Sequence, residues 1–272
     1  MVQSFLSDGV RIAFVDVAPE APDRGEPILL IHGFASNHRV NWVDSRWVET
    51  LSKSGRRVVA FDNRGHGDSE KLYEPRDYHS ATMARDAANL LNRLAVRRAD
   101  VMGYSMGARI ASFLALAEPE RVRTLILGGL GDHLVDGDGL PLGVAAAMEA
   151  PSLDSLTDPM QRMFRAFAEQ TKSDRAALAA CVRGSRQTLS EAQVASIACP
   201  ALVAVGTRDE VAGDPRRLAA ILPRGAALEI PGRRHNPAVG DKAFKAGVVA
   251  FLAKANEASP SPSRAFDSKW PI

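Results

Sequence analysis

The stretch Gly103-Tyr104-Ser105-Met106-Gly107 constrains this chain more than any other. It follows the strand-like run Ala99-Asp100-Val101-Met102 and precedes a helix-like run that begins at Ala108. A serine between two glycines at a strand-to-helix turn is the pattern of a nucleophile elbow. The turn is so tight that side chains at the two glycine positions would collide with neighbouring backbone. The serine then projects above the sheet, and the next backbone N–H points toward its oxygen from a helix N-terminus.

The rest of the chain supplies the sheet that such a turn requires. Residues 10–17 read as an early strand, hairpin-paired with the residues around Phe5. Ile28-Leu29-Leu30-Ile31 is continuously apolar, as in a strand buried on both faces. Residues 57–61, 124–127, 201–205 and 226–230 read as further buried strands, and 42–53, 82–94 and 241–255 as helices, by their apolar periodicity. This alternation predicts an α/β fold: a mostly parallel twisted sheet with helices on both faces. The segment 132–196 breaks the rhythm. It is helical in pattern and separates two strands by far more than a normal crossover, so it is expected to be a helical cap inserted over a core of 1–131 and 197–255. From residue 256 the Ser/Pro-rich composition predicts a disordered tail.

Composition narrows the function classes. A net charge of +2 and scattered arginines give no basic stripe for nucleic acid. No apolar run is long enough to span a bilayer, and residues 1–10 hold no signal-peptide core, so a cytoplasmic protein without membrane partners is expected. Two cysteines, Cys181 and Cys199, are too few for a disulfide framework and have no metal-like spacing.

Serine alone is a poor nucleophile and needs a base. Among the six histidines, His235 alone lies well after Ser105, follows a strand and sits in a loop. The orienting acid is expected between them. Asp209 ends Ala201-Leu202-Val203-Ala204-Val205-Gly206-Thr207-Arg208-Asp209, which places a carboxylate at the C-terminal edge of the sheet. Asp132 is the rival, since it also follows a strand. Glu210 is expected to point elsewhere, and Asp214 before Pro215 reads as a helix cap. Developing negative charge on a carbonyl oxygen needs donors. The backbone N–H of Met106 is one, and that of Phe34 in His32-Gly33-Phe34 is the other. The loop Asp62-Asn63-Arg64-Gly65-His66-Gly67-Asp68-Ser69 reads as a structural turn with Arg64 and the acids in local hydrogen bonds, rather than a metal or phosphate site.

Taken in order, His32-Gly33-Phe34, the Asp62–Ser69 loop, Gly103-Tyr104-Ser105-Met106-Gly107, Gly206-Thr207-Arg208-Asp209 and His235 resemble the α/β-hydrolase superfamily, over roughly residues 5–255. The likeness is greatest to its bacterial esterase and C–C hydrolase-like branch. The resemblance implies the α/β-hydrolase fold with a helical cap, and an enzyme that hydrolyses a small-molecule carboxylic ester through an acyl-serine intermediate, without cofactor or metal. The alternatives are a C–C bond hydrolase, a thioesterase, a cofactor-free perhydrolase, or a ligand-binding receptor on the same scaffold. Ser105 argues against the branches that use an aspartate nucleophile. Ala108 stands where many relatives have a second glycine. In the cap, Met163 and Phe167 are candidate pocket residues that would set acyl-chain preference.

Overall fold

The structure, a computed structural model, describes residues 1–22, 27–137 and 139–257. Among these residues eight strands form one sheet: β1 (Gln3–Ser7), β2 (Val10–Val17), β3 (Ile28–Ile31), β4 (Val58–Phe61), β5 (Ala99–Tyr104), β6 (Val122–Gly128), β7 (Ala201–Gly206) and β8 (Gly225–Ile230). Their spatial order is β1-β2-β4-β3-β5-β6-β7-β8. The first two form an antiparallel hairpin, and β2 meets β4 antiparallel. Every other pairing is parallel.

The central strands are buried on both faces, which is why their sequences are continuously apolar. Alternation assigns each residue to a side. Leu29 and Ile31 of β3 and Val59 and Phe61 of β4 face one apolar layer. Ile28, Leu30, Val58 and Ala60 face the other. The first layer takes helices α2 (Ser80–Arg93) and α3 (Met106–Ala117), and the second takes α1 (Trp47–Lys53) and α10 (Lys242–Glu257). Near the N-terminal ends of β5 and β6, Asp100 is buried between the guanidinium groups of Arg56 and Arg123 and accepts a bond from Thr124 Oγ1. A buried carboxylate is tolerated there because it is fully paired.

Between β6 and β7 the described residues form four α-helices: α4 (Leu142–Glu149), α5 (Pro159–Gln170), α6 (Arg175–Gly184) and α7 (Glu191–Ala195). Asp158 and Asp174 cap α5 and α6 through their side chains, and Ser190 with Gln193 forms a capping box on α7. After β7 come α8 (Pro215–Ile221), capped by Asp214, and α9 (His235–Ala238), which leads into α10.

Three expectations need correction. The single helix over 42–53 is instead a π-helical turn, Arg39–Val43, followed by α1, with Arg46 between them in the left-handed region at φ 65°. Trp42 and Trp47 are both fully buried and pack edge to face at 6.4 Å. Five residues apart on one continuous helix they would face about 140° apart, so the break is what lets both enter the core. The strand over 226–230 is an edge strand with Ala226, Ala227 and Glu229 exposed, because no further strand pairs beyond it among the described residues. Helix α10 continues to Glu257, two residues into the expected tail, and residues 258–272 lie outside the described residues. Among the described residues no helix is long and apolar enough to cross a membrane.

Candidate active site

The loops that carry Phe34, Ser105, Asp209 and His235 all leave the C-terminal ends of parallel strands, where open α/β sheets collect their ligands. Ser105 occupies the turn between β5 and α3 with φ 55° and ψ −115°, a conformation that costs a non-glycine residue of the order of 1–3 kcal/mol. Steric crowding explains its flanking residues. A Cβ on Gly103 would strike the Gly107 carbonyl, and one on Gly107 would strike the carbonyl of Ile31 on the neighbouring strand. The Ser105 N–H is tied to the Gly128 carbonyl on β6 at 2.7 Å, which anchors the strained residue to the sheet.

His235 begins α9, with its side chain 6% exposed. Its Nε2 lies 2.9 Å from Ser105 Oγ, and its Nδ1 lies 2.8 Å from Asp209 Oδ2. A carboxylate only accepts, so the proton sits on Nδ1 and Nε2 is left to accept from the serine hydroxyl. The Asp209 side chain is fully buried, and its second oxygen accepts from the N–H groups of Val211 (2.9 Å) and Ala212 (3.1 Å). The two loops are also stitched together directly: Arg208 N–H donates to the Arg233 carbonyl, and Gly232 N–H to Thr207 Oγ1. Tyr104, beside the serine, donates its hydroxyl to the His235 carbonyl at 2.5 Å. Burial raises the phenol well above its ordinary range, so it stays a donor.

Asp132 is not part of this chain of bonds. Its Oδ1 accepts from the Asp214 N–H at 2.7 Å and its Oδ2 pairs with Arg217, so it braces the start of α8. Asp214 caps that helix as expected.

The second donor loop is set by His32, whose part was not foreseen. The Asn63 N–H donates to His32 Nε2 at 2.9 Å, so the ring proton is on Nδ1, which donates to the Gly33 carbonyl at 2.8 Å. In a trans peptide the carbonyl and the following N–H point in opposite directions, so this bond turns the Phe34 N–H away from the ring. Asn41 Oδ1 accepts from the Gly33 N–H at 3.1 Å and fixes the other side of the glycine. Gly33 lies against the elbow: a Cβ there would sit 3.4 Å from Ser105 Cβ. Neither the Phe34 nor the Met106 amide has an acceptor among the described residues. Burial pushes His32 down to about 4 and the adjacent His66 to about 3, so both rings are neutral near pH 7.

In the Asp62–Ser69 loop, Asp62 accepts from the His38 backbone and ring and from the Asp68 N–H. Arg64 reaches beyond the loop, contrary to expectation, to make a two-pronged pair with Asp86 on α2. Among the described residues no group of three metal-ligating side chains converges.

Two cavities meet at Ser105 and Phe34. The first, about 200 Å³, is walled by Leu130, Leu140, Met160 and Val211, with Arg109 and Glu210 also on its surface. The second, about 140 Å³, is walled by Val40, Phe164, Phe167 and Val239, and His235 lines it. Phe167 therefore faces a cavity, whereas Met163 lines neither and packs half-buried on the core. Glu210, expected to point elsewhere, reaches the first cavity because the chain turns back at Val211 and Ala212 to bond Asp209.

Residues 26–138 match the alpha/beta hydrolase fold family. The chain is 36% identical over 140 residues to rhodomycin D methylesterase of Streptomyces sp. (strain C5), covering 50% of this chain and 45% of that protein. It is 36% identical over 105 residues to 2-hydroxymuconate semialdehyde hydrolase of Pseudomonas sp. (strain CF600), covering 39% and 36% respectively. The matched part thus spans less than half the length of either curated relative. The structure superimposes on a hydrolase from Pseudomonas aeruginosa PA01 with a TM-score of 0.73 and 26% identity, over 92% of this chain and 98% of that one. With the eight-stranded sheet, the elbow after β5 and these likenesses in agreement, the chain has the α/β-hydrolase fold.

Proposed function

We propose that the protein is a serine hydrolase that cleaves a carboxylic ester through an acyl-serine intermediate. The observation that carries this reading is the continuous hydrogen-bond chain from Asp209 through His235 to Ser105. Ser105 Oγ attacks the ester carbonyl while its proton passes to His235 Nε2. The carbonyl oxygen becomes an oxyanion held by the Phe34 and Met106 amides. As the tetrahedral centre collapses, the bond to the leaving oxygen breaks and His235 returns the proton to that oxygen, releasing the alcohol. Water then repeats the sequence on the acyl-serine: it gives one proton to His235, the acid departs, and Ser105 recovers its proton. Asp209 holds the imidazole in the productive tautomer and stabilises it when protonated.

Segment 132–196 acts in this reading as a cap, because α5 supplies walls to both cavities through Met160, Phe164 and Phe167. That rhodomycin D methylesterase is among the relatives agrees with an ester substrate. The test compares wild type with Ser105→Ala on p-nitrophenyl acetate and a matched acyl-thioester. Ester turnover in wild type, falling by roughly 10³-fold or more in the variant, supports the reading. Equal turnover by the two proteins refutes it.

A further inference from the structure

We infer that Arg109 reads an acid group on the acyl portion of the substrate, so that half-esters of short dicarboxylic acids are favoured over uncharged esters. The inference rests on the ester-hydrolase reading and begins with the orientation of the substrate. His235 must hand its proton to the leaving oxygen, so the leaving group has to lie within hydrogen-bond reach of that ring. His235 lines the second cavity and not the first. The leaving alcohol therefore belongs in the second cavity and the acyl chain in the first.

Arg109 lies on the first cavity, one helical turn beyond Ser105 on α3. It is 5% exposed. Its Nη1 donates to the Gln187 carbonyl at 2.6 Å and its Nη2 to the His133 carbonyl at 2.9 Å. A guanidinium carries five N–H donors, so three are left over. No carboxylate pairs with it among the described residues. Glu210, the acidic residue among those described on this cavity, is exposed and forms no ion pair with Arg109 among the described residues. Two carbonyl acceptors require donors but not a charge; a neutral amide would clamp the same two segments. Burying an uncompensated cation is costly, and the cost is recovered when an anion arrives with matching geometry. Burial, and then Arg186 close by, push Arg109 down to about 10, which still leaves it charged at neutral pH. The rest of the cavity wall is mainly apolar, through Leu130, Leu140 and Met160, and suits the methylenes between the two carbonyl groups.

The experiment measures kcat/KM for benzyl hydrogen glutarate against its uncharged isostere, benzyl 5-methylhexanoate, by release of benzyl alcohol. Wild type, Arg109→Lys and Arg109→Met are compared, with fluorophosphonate labelling of Ser105 alongside. Wild type is expected to favour the half-ester by about tenfold or more, the size of one good charge-assisted contact. Arg109→Lys retains part of that ratio and Arg109→Met loses it. Because the readout is a ratio of two substrates on the same protein, partial unfolding of a variant does not change it. Cleavage of both esters by wild type with no preference for the charged one, or an unchanged ratio in Arg109→Met, overturns the proposal and leaves the hydrolase reading standing. Cleavage of neither ester, with Ser105 unlabelled, overturns both.

Discussion

Replacing Asp209 by asparagine is the perturbation whose consequence the geometry specifies most fully. The carboxylate has two tasks: Oδ2 accepts from His235 Nδ1 at 2.8 Å, and Oδ1 accepts from the Val211 and Ala212 amides at 2.9 and 3.1 Å. An asparagine keeps its one oxygen on the two amides, since turning it over would set a donor against two donors. Its NH2 then faces Nδ1, which can no longer donate. The ring proton moves to Nε2, where it opposes the Ser105 hydroxyl and cannot accept its proton. The same tautomer fault in the well-known serine-protease triad lowers kcat by about 10⁴, equivalent to about 5 kcal/mol of barrier. A comparable loss is expected here, with little loss of fold stability. Asp132→Asn is the control. Its Oδ1 accepts from the Asp214 N–H, a bond an asparagine oxygen retains, and its partner Arg217 is solvent-exposed, so turnover should stay within about tenfold of wild type. Steady-state hydrolysis of p-nitrophenyl acetate, with thermal unfolding of each variant, reads both outcomes. A severe loss in Asp132→Asn with near-normal turnover in Asp209→Asn would refute the assignment.

The other expectations concern acid stability, the tyrosine of the elbow and the cavity walls. His32 titrates near 6.5 when unfolded and at about 4 when folded, so the unfolded chain binds the extra proton first, and this ring's contribution is complete above pH 6.5 and lost as pH falls toward 4. At pH 5 the loss is about 2 kcal/mol for His32 alone, and His66 adds to it; His38, raised by its bond to Asp62, works in the opposite sense. Urea midpoints that stay level between pH 7 and 5 would contradict this. Tyr104→Phe leaves the buried His235 carbonyl without its donor, at about 1–3 kcal/mol, and is expected to lower kcat more than it changes KM; unchanged melting and kcat would show the bond to be idle. Phe167→Ala should shift preference among leaving alcohols, whereas Met163→Ala should cost stability with its substrate profile intact; a panel of acetate esters separates the two, and a shifted profile in Met163→Ala would count against the cavity assignment.

What the sequence made legible follows from which constraints are local. The elbow is local: crowding at Gly103 and Gly107 forces glycine within five residues of chain, so the turn could be read directly. Asp209 and His235 were reachable because each closes a short loop after a recognisable strand, and strand order brings those loops together. The supporting bonds were not legible, because they join distant segments with no shared pattern. His32 meets Asn63 across 31 positions, and Tyr104 meets His235 across 131. The break before α1 was hidden because periodicity records that Trp42 and Trp47 are apolar, not that both must face inward. On α5, Met163 and Phe167 are both candidate pocket residues by sequence, and only the packed structure separates Phe167, which reaches a cavity, from Met163, which does not.

The central claim is that Ser105 becomes covalently acylated. Its most direct test is intact-protein mass spectrometry after brief exposure to an activated ester at low pH, with peptide mapping of the product. A mass increase of one acyl group per chain, located on Ser105 and absent in Ser105→Ala, is the predicted result. Ester turnover with no acyl adduct, or an adduct mapped to any other residue, would contradict it.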